Sequence, residues 1–364
     1  MKEFTRTVDT LNFTIPMCSY DASEILYFDI ETTGFAPAST TLYLIGCACL
    51  RDGKYRVTQW FADTRDSETE IIRAFLDFAS SFKALVHYNG SGFDIPYIIK
   101  KCRILDIPCD FSGIQSIDIY KRIQPFKMLL KLENIKQKSI EKFMGINRED
   151  KYTGGELIKI YNDYLSSRSD ELLELLLTHN REDVLGVSGI APVMSYECVT
   201  DKRYSIESME LRVSQSANDS VRKEVVLTLR LGESVPLRVS YGNDYFYITI
   251  FENKARICVR AHTDELKYFY PNYKDYYYLP EEDRSIHKSV AFYVDKNYRT
   301  QAKAANCYSK KTGVFLPQYE EIVSPYFKID YYDKITFFEY TEDFYGNPGL
   351  IADYTEHIIC TLLG

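Results

Sequence analysis

Two acidic residues at the end of an apolar segment are the first candidates for chemistry. Asp29 and Glu31 alternate with the apolar Phe28 and Ile30, so on a strand both carboxylates point to one face. Adjacent acids repel each other unless a cation lies between them. A Thr-Thr-Gly turn follows at residues 32–34, which puts the acids at the strand end, where the active sites of α/β sheets lie. The alternative is a solvated strand end without chemical function.

Two further acidic segments lie at predicted element boundaries. Asp94 ends the segment at residues 89–94, after a predicted strand and before a predicted helix, and its alternative role is that of a helix N-cap. His179 and Asp183 are four residues apart, so they would be neighbours on one side of a helix. Asn180 could cap a helix that starts there, and we therefore predict a break near His179 and Asn180. A histidine satisfied at a helix boundary is the alternative for His179.

The segments that carry these residues alternate between strand and helix patterns. The Asp52-Gly53 pair predicts a hairpin turn, and Ser67 with Glu70 predicts a capping box that opens a helix. Three leading antiparallel strands, then helix, strand and helix, are typical of an RNase H-like α/β fold, a mixed sheet with flanking helices, rather than of a Rossmann fold. The predicted strands are Ile25–Ile30, Leu42–Leu50, Tyr55–Phe61 and Ala84–Tyr88, and later helices are predicted at Ile95–Arg103, Ser139–Met144, Glu156–Leu165 and Asp170–Met194.

Beyond about residue 200 the apolar period changes to two, which indicates strands. Tyrosine is also concentrated there, with 20 of the 31 tyrosines in residues 201–364. We therefore predict two domains, an RNase H-like domain at residues 1–200 and a β-rich (α+β) accessory domain of unknown role at residues 201–364. The predicted strands of the second half are Val225–Leu231, Leu237–Tyr241, Tyr245–Phe251, Arg256–Ala261, Val314–Leu316 and Lys334–Tyr340, with one helix at Asp283–Val294.

The composition excludes several classes of protein. With 26% charged and 45% hydrophobic residues, the 364-residue chain is typical of a globular protein and not of a disordered, collagen-like or coiled-coil one. It has no apolar run of about 18 residues and no signal-peptide pattern, so we expect no membrane partner and a cytoplasmic location. Nine cysteines without a CxxC pair indicate reduced thiols. With a formal charge of −8, a nucleic-acid partner would need local basic patches.

Together the three acidic segments resemble the motifs of the DEDD exonuclease superfamily, and most of all its YprB-like ribonuclease H-like branch. Asp-Ile-Glu-Thr-Thr-Gly at residues 29–34 is similar to the first motif of that family, residues 89–94 to the second, and residues 179–183 to the third. The resemblance covers about residues 20–197, slightly over half of the chain. It implies an RNase H-like domain in which four carboxylates hold metal, namely Asp29, Glu31, Asp94 and Asp183.

The cofactors that this resemblance implies are two Mg²⁺ or Mn²⁺ ions. Two such ions about 3.5–4 Å apart activate a water and stabilise the leaving oxygen in phosphodiester hydrolysis, and clustered carboxylates supply the negative charge that holds them. In the family arrangement Asp29 would bridge both ions. Glu31 and Asp183 would complete the site that holds the attacking water, and Asp94 would assist the other ion.

His179 is the candidate general base of this site. The third motif of the family carries either a tyrosine three residues clear of its aspartate or a histidine four residues clear, and His179 stands where the tyrosine would be. A neutral imidazole can take a proton from water near neutral pH, which favours this role. The alternative is that His179 only positions a water or caps the helix. The resemblance further implies a set of substrate-binding residues, namely Thr32, Thr33, Asn89 and Phe93.

The function that follows is a metal-dependent 3′–5′ exonuclease, acting on single-stranded DNA rather than RNA. Two alternatives stay open: a nucleic-acid-binding scaffold with weak or no catalysis, and a hydrolase of short or cyclic oligonucleotides. Residues 121–142 carry seven basic residues against two acids and could track phosphates or form a solvated helix face. Tyrosines between residues 268 and 278 could stack on bases, although packing in a β-rich domain is the favoured interpretation.

Overall fold

The apolar runs of the first half of the chain form the strands of one mixed sheet. The computed structural model describes residues 1–9, 15–16, 18–148, 152–215 and 221–364. The chain divides into a first unit, Met1–Glu197 with Val235–Leu237, and a second unit, Cys198–Ser234 with Arg238–Gly364. Among the described residues, no helix has both the length and the apolar character that a membrane span requires.

The first unit alternates strands and helices along the chain, as the sequence predicts. Its strands are β1 (Lys2–Val8), β2 (Ile25–Thr32), β3 (Leu42–Arg51), β4 (Lys54–Phe61), β5 (Ala84–His87) and β6 (Gln115–Asp118). Its helices are α1 (Glu68–Ala79), α2 (Asp94–Ile104), α3 (Ile119–Ile123), α4 (Gln137–Phe143), α5 (Gly154–Ser167) and α6 (Asp170–Ile190).

These six strands form a sheet of order β1-β4-β3-β2-β5-β6. Strand β2 lies in the interior, antiparallel to β3 and parallel to β5, and β5 is parallel to β6. The sheet is therefore mixed, and the predicted RNase H-like class of the first domain is confirmed. Residues 25–28 of β2 are fully buried because helices cover the sheet, while its acidic end is partly accessible. This places the carboxylates of β2 at the carboxyl end of a rigid central strand.

Helix α6 runs without interruption through His179 and Asn180, so the predicted break there is wrong. Asn180 does not cap a helix, because it lies inside α6 and its side-chain amide bonds to residues of β2 and β4. Its Oδ1 accepts a hydrogen bond from Gln59 Nε2 at 2.9 Å, and its Nδ2 donates to Asp29 Oδ2 at 3.1 Å. A polar residue that usually favours caps is thus kept inside the helix by partners on β2 and β4.

The capping box predicted at Ser67 and Glu70 is also wrong in its hydrogen bonds. Helix α1 does begin after Ser67, but the Ser67 hydroxyl makes no capping bond to the helix backbone and donates to Asp63 Oδ1 at 3.1 Å. The Glu70 carboxylate instead accepts from the amino group of Met1 at 2.9 Å. The predicted helix start is therefore right, but the Glu70 side chain bonds to the amino group of Met1 and does not form a capping box.

Strands β1 and β6 have no counterpart in the sequence predictions. Strand β1 is an edge strand paired with β4, and most of its side chains are exposed, so it has no apolar alternation to detect. Strand β6 has four residues, of which only the last two are buried. Both strands form because neighbouring strands offer backbone partners, which a local sequence pattern does not reveal.

The second unit is rich in strands, as predicted, and its described strands form small antiparallel sheets of order β7-β8-β11-β10-β9, β12-β16, β14-β13-β15 and β17-β19-β18. Its strands are β7 (Tyr204–Gln215), β8 (Val221–Leu231), β9 (Val239–Gly242), β10 (Phe246–Phe251), β11 (Lys254–Arg260), β12 (Glu265–Phe269), β13 (Tyr276–Leu279), β14 (Arg284–His287), β15 (Thr300–Gln301), β16 (Tyr308–Thr312), β17 (Phe315–Gln318), β18 (Tyr326–Phe327) and β19 (Thr336–Glu339). Its helices are α8 (Lys288–Ala291), α9 (Glu342–Tyr345) and α10 (Pro348–Leu363), and α7 (Glu197–Thr200) spans the boundary between the units.

The helix predicted over Asp283–Val294 is wrong. Residues 284–287 form β14, which pairs with β13, and only the four residues of α8 are helical. The backbone of this segment instead forms a hairpin with the tyrosine-rich strand at residues 276–279, and the pairing of the two strands overrides the helical pattern of the segment. Helix α10, at the end of the chain, has no counterpart in the sequence predictions either.

Gly46 provides a test of how α6 packs on the sheet. It lies opposite Asp29 in the β2–β3 register, and a Cβ at this position would stand 2.0 Å from Asn180 Oδ1. We expect Gly46→Ala to push Asn180 away from Asp29 and to lower the free energy of unfolding by about 1–3 kcal/mol, the usual cost of overpacking. Urea denaturation measures the change.

Gly113→Ala is the matched control, because a Cβ at Gly113 would meet no atom within 4 Å. We expect this variant to unfold at the urea concentration of the unchanged protein. Equal stability of the Gly46 and Gly113 variants would contradict the close approach of Asn180 to β3.

Candidate functional site

The site is built first from the end of β2. Asp29 and Glu31 lie two residues apart on this strand and share a face, as predicted. The register between β2 and β3 shifts between Glu31 and Thr32, so the strand pairing becomes irregular directly after the second acid. The two carboxylates consequently lie where regular pairing ends and the loop at residues 33–41 begins.

Asp94 reaches the site from the first residue of α2, at the helix N-terminus where the sequence places it. Its Oδ1 accepts a hydrogen bond from the backbone N–H of Ile30 at 3.2 Å, which ties the helix start to the strand between the two acids. The Asp94 side chain therefore bonds to β2, and the N-cap position of α2 is Phe93. This bond joins the first and second motifs.

The turn before Asp94 is held by a residue that the sequence analysis missed. The buried Asp118, at the end of β6, accepts hydrogen bonds from the backbone N–H groups of Asn89 at 2.9 Å and Ser91 at 3.2 Å. Asn89 has a φ of 60°, a left-handed conformation that asparagine tolerates better than most residues. These bonds fix the path of the chain into α2, and no local signal distinguishes Asp118 from an ordinary acid.

His179 and Asp183 complete the site from one face of α6. His179 Nε2 lies 3.0 Å from Asp183 Oδ2 and 3.3 Å from Glu31 Oε1. Ligand atoms of Glu31, His179 and Asp183 all lie within 4.8 Å of one another. The structure thus brings together the residues of the first and third motifs, which are about 150 positions apart in the chain.

Burial and mutual repulsion of the acids shift the pKa values of the site. Burial raises the pKa of Asp29 well above its usual value, and the charges of Asp183, Asp94 and Glu31 raise it further. Burial likewise raises the pKa of Asp94 to about 7. Without a cation, these two carboxyl groups therefore keep protons that exposed acids would lose.

Asp183 behaves in the opposite way. Burial alone would raise its pKa, but the hydrogen bond from His179 and the positive charge of Arg148 outweigh burial and hold the pKa below its usual value. The Arg148 guanidinium forms ion pairs with both Asp183 and the buried Glu141. Asp183 therefore stays ionised in the isolated chain at pH values where Asp29 keeps its proton.

A second group of supporting residues, again missed from the sequence, holds Asp183 from α4. Gln137 Nε2 donates to the backbone oxygen of Asp183 and to Glu141 Oε1, both at 2.9 Å. Gly186 on α6 permits this approach, because a Cβ there would lie 2.0 Å from Glu141 Oε1. Arg148 and Glu141 carry opposite charges seven residues apart, and this spacing alone does not reveal that they meet beside the site.

The four residues expected to bind substrate occupy the rim of the site. The Thr32 hydroxyl donates to the Gly34 backbone oxygen at 2.9 Å, and the Thr33 hydroxyl accepts from the Thr41 N–H at 2.8 Å. Both threonine side chains thus shape the loop at residues 33–41, and their role toward a substrate stays a prediction. Asn89 is exposed in the turn before α2.

Phe93 has an aromatic partner that the sequence analysis did not single out. Its ring packs edge-to-face against Phe35 with the ring centroids 5.8 Å apart. Phe35 is 90% exposed, an unusual state for a phenylalanine. The pair forms an accessible aromatic surface between the loop after β2 and the start of α2. The only sequence signal for Phe35 is an isolated phenylalanine in a polar loop.

This donor set fits a divalent metal ion. The four carboxylates offer hard oxygen ligands, and two of them keep elevated pKa values until a positive charge neutralises their repulsion. The cationic or polar side chains that contact these carboxylates include His179, Arg148 and Asn180. The residues that could hold the ion are Asp29, Glu31, Asp94, His179 and Asp183.

The sequence of the first unit matches a family model for the RNase_H superfamily over residues 26–194. This range contains every residue of the site. Residues 26–194 form an RNase H superfamily domain. The predicted recognition of this fold is therefore confirmed, and the matched range ends just before the boundary between the two units. No curated protein matches the chain.

Solved structures with similarity to the chain include a family B DNA polymerase from the archaeon Pyrobaculum calidifontis. It is 16% identical, with 69% of this chain and 35% of the polymerase covered and a TM-score of 0.41. E. coli exonuclease I in complex with a dA16 oligonucleotide is 14% identical, with 58% of this chain and 55% of exonuclease I covered and a TM-score of 0.26. The chain thus spans about a third of the polymerase and just over half of exonuclease I, and likeness at this level carries no argument about activity.

The elevated pKa of Asp94 predicts how stability depends on pH in the absence of metal. The unfolded chain loses this proton near pH 4, while the folded protein keeps it to about pH 7, so the free energy of unfolding falls as the pH rises between these values. Asp94→Asn removes this loss and keeps an acceptor for Ile30. We expect the variant in EDTA to gain stability over the unchanged protein as the pH rises from 4 to 7, measured by urea denaturation.

Asp66→Asn, at an exposed acid of the same unit, is the control, and its effect on stability should not vary over this range. Added Mg²⁺ should stabilise the unchanged protein more than Asp94→Asn, because an ion that binds only the folded state stabilises it in proportion to its occupancy. A pH-independent effect of Asp94→Asn would contradict the elevated pKa.

Proposed function

We propose that the first unit is a two-metal nuclease that hydrolyses phosphodiester bonds of single-stranded nucleic acid from the 3′ end, with Mg²⁺ or Mn²⁺ as cofactor. The observation that carries this proposal is the convergence of four carboxylates and His179 at the end of β2 within an RNase H superfamily domain. Carboxylates this close together repel one another, and a bound cation would offset the repulsion. Oxygen ligands prefer hard divalent ions.

The chain's own residues prepare the site for this reaction. Asn180 orients Asp29 by a hydrogen bond of 3.1 Å, and the N–H of Ile30 orients Asp94. Arg148 and Gln137 fix Asp183 from its side chain and its backbone. Divalent ions bound there would polarise the phosphate and lower the pKa of a water. Asp29, Asp94 and Asp183 are therefore held in place before a substrate arrives.

His179 is positioned to handle the proton of that water. Its Nε2 lies between Glu31 and Asp183, the two acids expected to flank the attacking water. A proton on Nε2 would bond to these carboxylates in the isolated chain, and the imidazole becomes a base only when Nε2 is free of it. Helix α6 fixes this geometry, since both His179 and Asp183 lie on its buried face.

The 3′–5′ direction and the preference for single-stranded DNA rest on the resemblance of the three motifs to the DEDD exonucleases. Two features of the structure support a nucleic-acid substrate. Phe35 offers an exposed ring that packs on the partly buried Phe93. Helix α4, which holds Asp183 through Gln137, also carries the exposed and positively charged Lys138 and Lys142.

Asp29→Asn tests the metal site directly. A neutral amide cannot bridge two cations, so we expect Mg²⁺- or Mn²⁺-dependent release of nucleotides from a 3′ end to fall to the level measured in EDTA, while the fold is kept. The substrate is a 5′-labelled single strand, resolved by gel electrophoresis. Asp66→Asn serves as the matched control and should keep full activity.

A circular single strand of the same sequence distinguishes the modes of cleavage, because an exonuclease leaves it intact. Full activity of Asp29→Asn would overturn the metal-site assignment. Binding of single strands without any metal-dependent cleavage, in a correctly folded protein, would instead favour the scaffold alternative. Cleavage of dinucleotides alone would favour a hydrolase of short oligonucleotides.

His179→Ala tests the proton transfer. If His179 is the general base, its loss should lower kcat by roughly 10²–10⁴-fold while metal binding survives. The unchanged protein should become faster as the pH rises through the range in which an imidazole loses its proton, and the variant should lack this rise. His179→Tyr should keep part of the activity, because it restores the residue type that the family carries at this spacing. A His179→Ala protein with unchanged rate and pH profile would show that His179 is structural.

A further inference from the structure

The second unit contains a cavity of about 740 Å³ that the nuclease site does not use. Its walls come from three separate segments: the end of β12 with the loop that follows it, the residue Ala304, and residues 324–331 around β18. Six of its eleven lining residues are aromatic. The volume lies within the range of small-molecule and cofactor sites, and the lining is far richer in tyrosine than an average surface.

The rings of this cavity are held in fixed positions by one another. Tyr268 packs edge-to-face on Tyr270 at 5.4 Å, and Tyr270 stacks on Tyr276 at 4.4 Å with an interplanar angle of 14°. Tyr331 packs edge-to-face on Phe269, with the ring centroids 5.3 Å apart. These contacts order the aromatic surface before any ligand binds, which lowers the entropy cost of binding.

Tyr273 differs from its neighbours. It lines the cavity but is 37% exposed, and among the described residues its ring stacks on no other aromatic ring. Its ring is therefore a flat aromatic face open both to the cavity and to solvent. The first three tyrosines of the segment 268–278 line the cavity, whereas Tyr277 contacts Arg299 and Tyr278 bonds to Asp283. The segment thus divides into lining residues and packing residues.

Charge decides which class of ligand fits this aromatic surface. The lining includes Lys328 and, among the described residues, no carboxylate. The Lys328 ammonium is held by the backbone oxygens of Tyr331 and Asp333 at 3.4 Å and 2.9 Å. A fixed positive charge disfavours a cationic ligand such as a quaternary ammonium, which aromatic cages otherwise take. It favours a flat aromatic group that carries a negative charge.

We propose that this cavity binds a nucleotide unit of single-stranded nucleic acid, with the base stacked on tyrosine rings and the phosphate toward Lys328. The choice of a strand rather than a free nucleotide rests on the proposed function of the first unit. Stacking of a base on an aromatic side chain contributes about 1–3 kcal/mol and tolerates any base, so the site binds strands without reading their sequence.

The test is the binding of a fluorescein-labelled oligothymidylate of about 12 nucleotides, within the length that such sites cover, to the full chain in EDTA. Fluorescence anisotropy gives the dissociation constant without cleavage. Tyr273→Ala should weaken binding roughly 5- to 100-fold, and Tyr273→Trp should restore it, because an indole stacks as well as a phenol. Tyr293→Ala is the matched control: Tyr293 is 86% exposed, lies outside the cavity and should not matter.

Two results would overturn the inference. One is equal binding by Tyr273→Ala and Tyr293→Ala. The other is competition by thymidine monophosphate at the dissociation constant of the oligonucleotide, which would make the cavity a site for free nucleotides. Metal-dependent cleavage of a dinucleotide, measured on the same variants, keeps the two proposals apart. Cleavage without Tyr273-dependent binding removes only the cavity site, and Tyr273-dependent binding without cleavage removes only the nuclease.

Discussion

The repulsion among the four clustered carboxylates is the constraint on which the first unit depends. Asp29 and Asp94 keep elevated pKa values because burial and like charges disfavour their ionised forms. A fold that collects such groups loses stability unless other contacts hold the elements that carry them. The central position of β2 provides this support, since it is paired on both sides by β3 and β5. Asp29 and Glu31 consequently stand on an interior strand of the sheet.

The same constraint explains the close contacts around α6. Helix α6 must bring His179 and Asp183 to the end of β2, and two glycines allow that approach. Gly46 leaves room for the Asn180 amide against β3, and Gly186 leaves room for Glu141 against the helix. The polar groups so admitted bond to Asp29 and, through Arg148, to Asp183. At Gly46 and Gly186, glycine is thus needed because hydrogen-bonded side chains occupy the space that a Cβ would fill, and not because the backbone turns there.

Much of the first unit could be predicted from local patterns, and the exceptions have a common cause. Apolar alternation located β2, β3, β4 and β5 because one or both faces of these strands are buried. It missed the exposed edge strand β1 and the short β6, whose strand character comes from pairing. In the second unit, the helix predicted over residues 283–294 is replaced by a hairpin in which β14 pairs with a row of tyrosines. In each case pairing with another strand overrides the local preference.

The sequence by itself predicted the acidic residues and their order along the chain, through the resemblance of three segments to the motifs of one family. It predicted the RNase H-like class through the order of strand and helix patterns, which are local properties. Only the tertiary structure decided which groups surround them. The sequence predicts a helix cap at Asn180, whereas in the structure Asn180 bonds to Asp29. No local sequence pattern indicates that Arg148 and Gln137 contact Asp183 or that Asp118 holds the turn before α2. From the sequence, the tyrosines of the second unit could be either packing or binding residues. The structure shows which of them pack in a sheet and which line the cavity. Contacts between distant segments depend on how the elements pack, and no window of sequence contains that information.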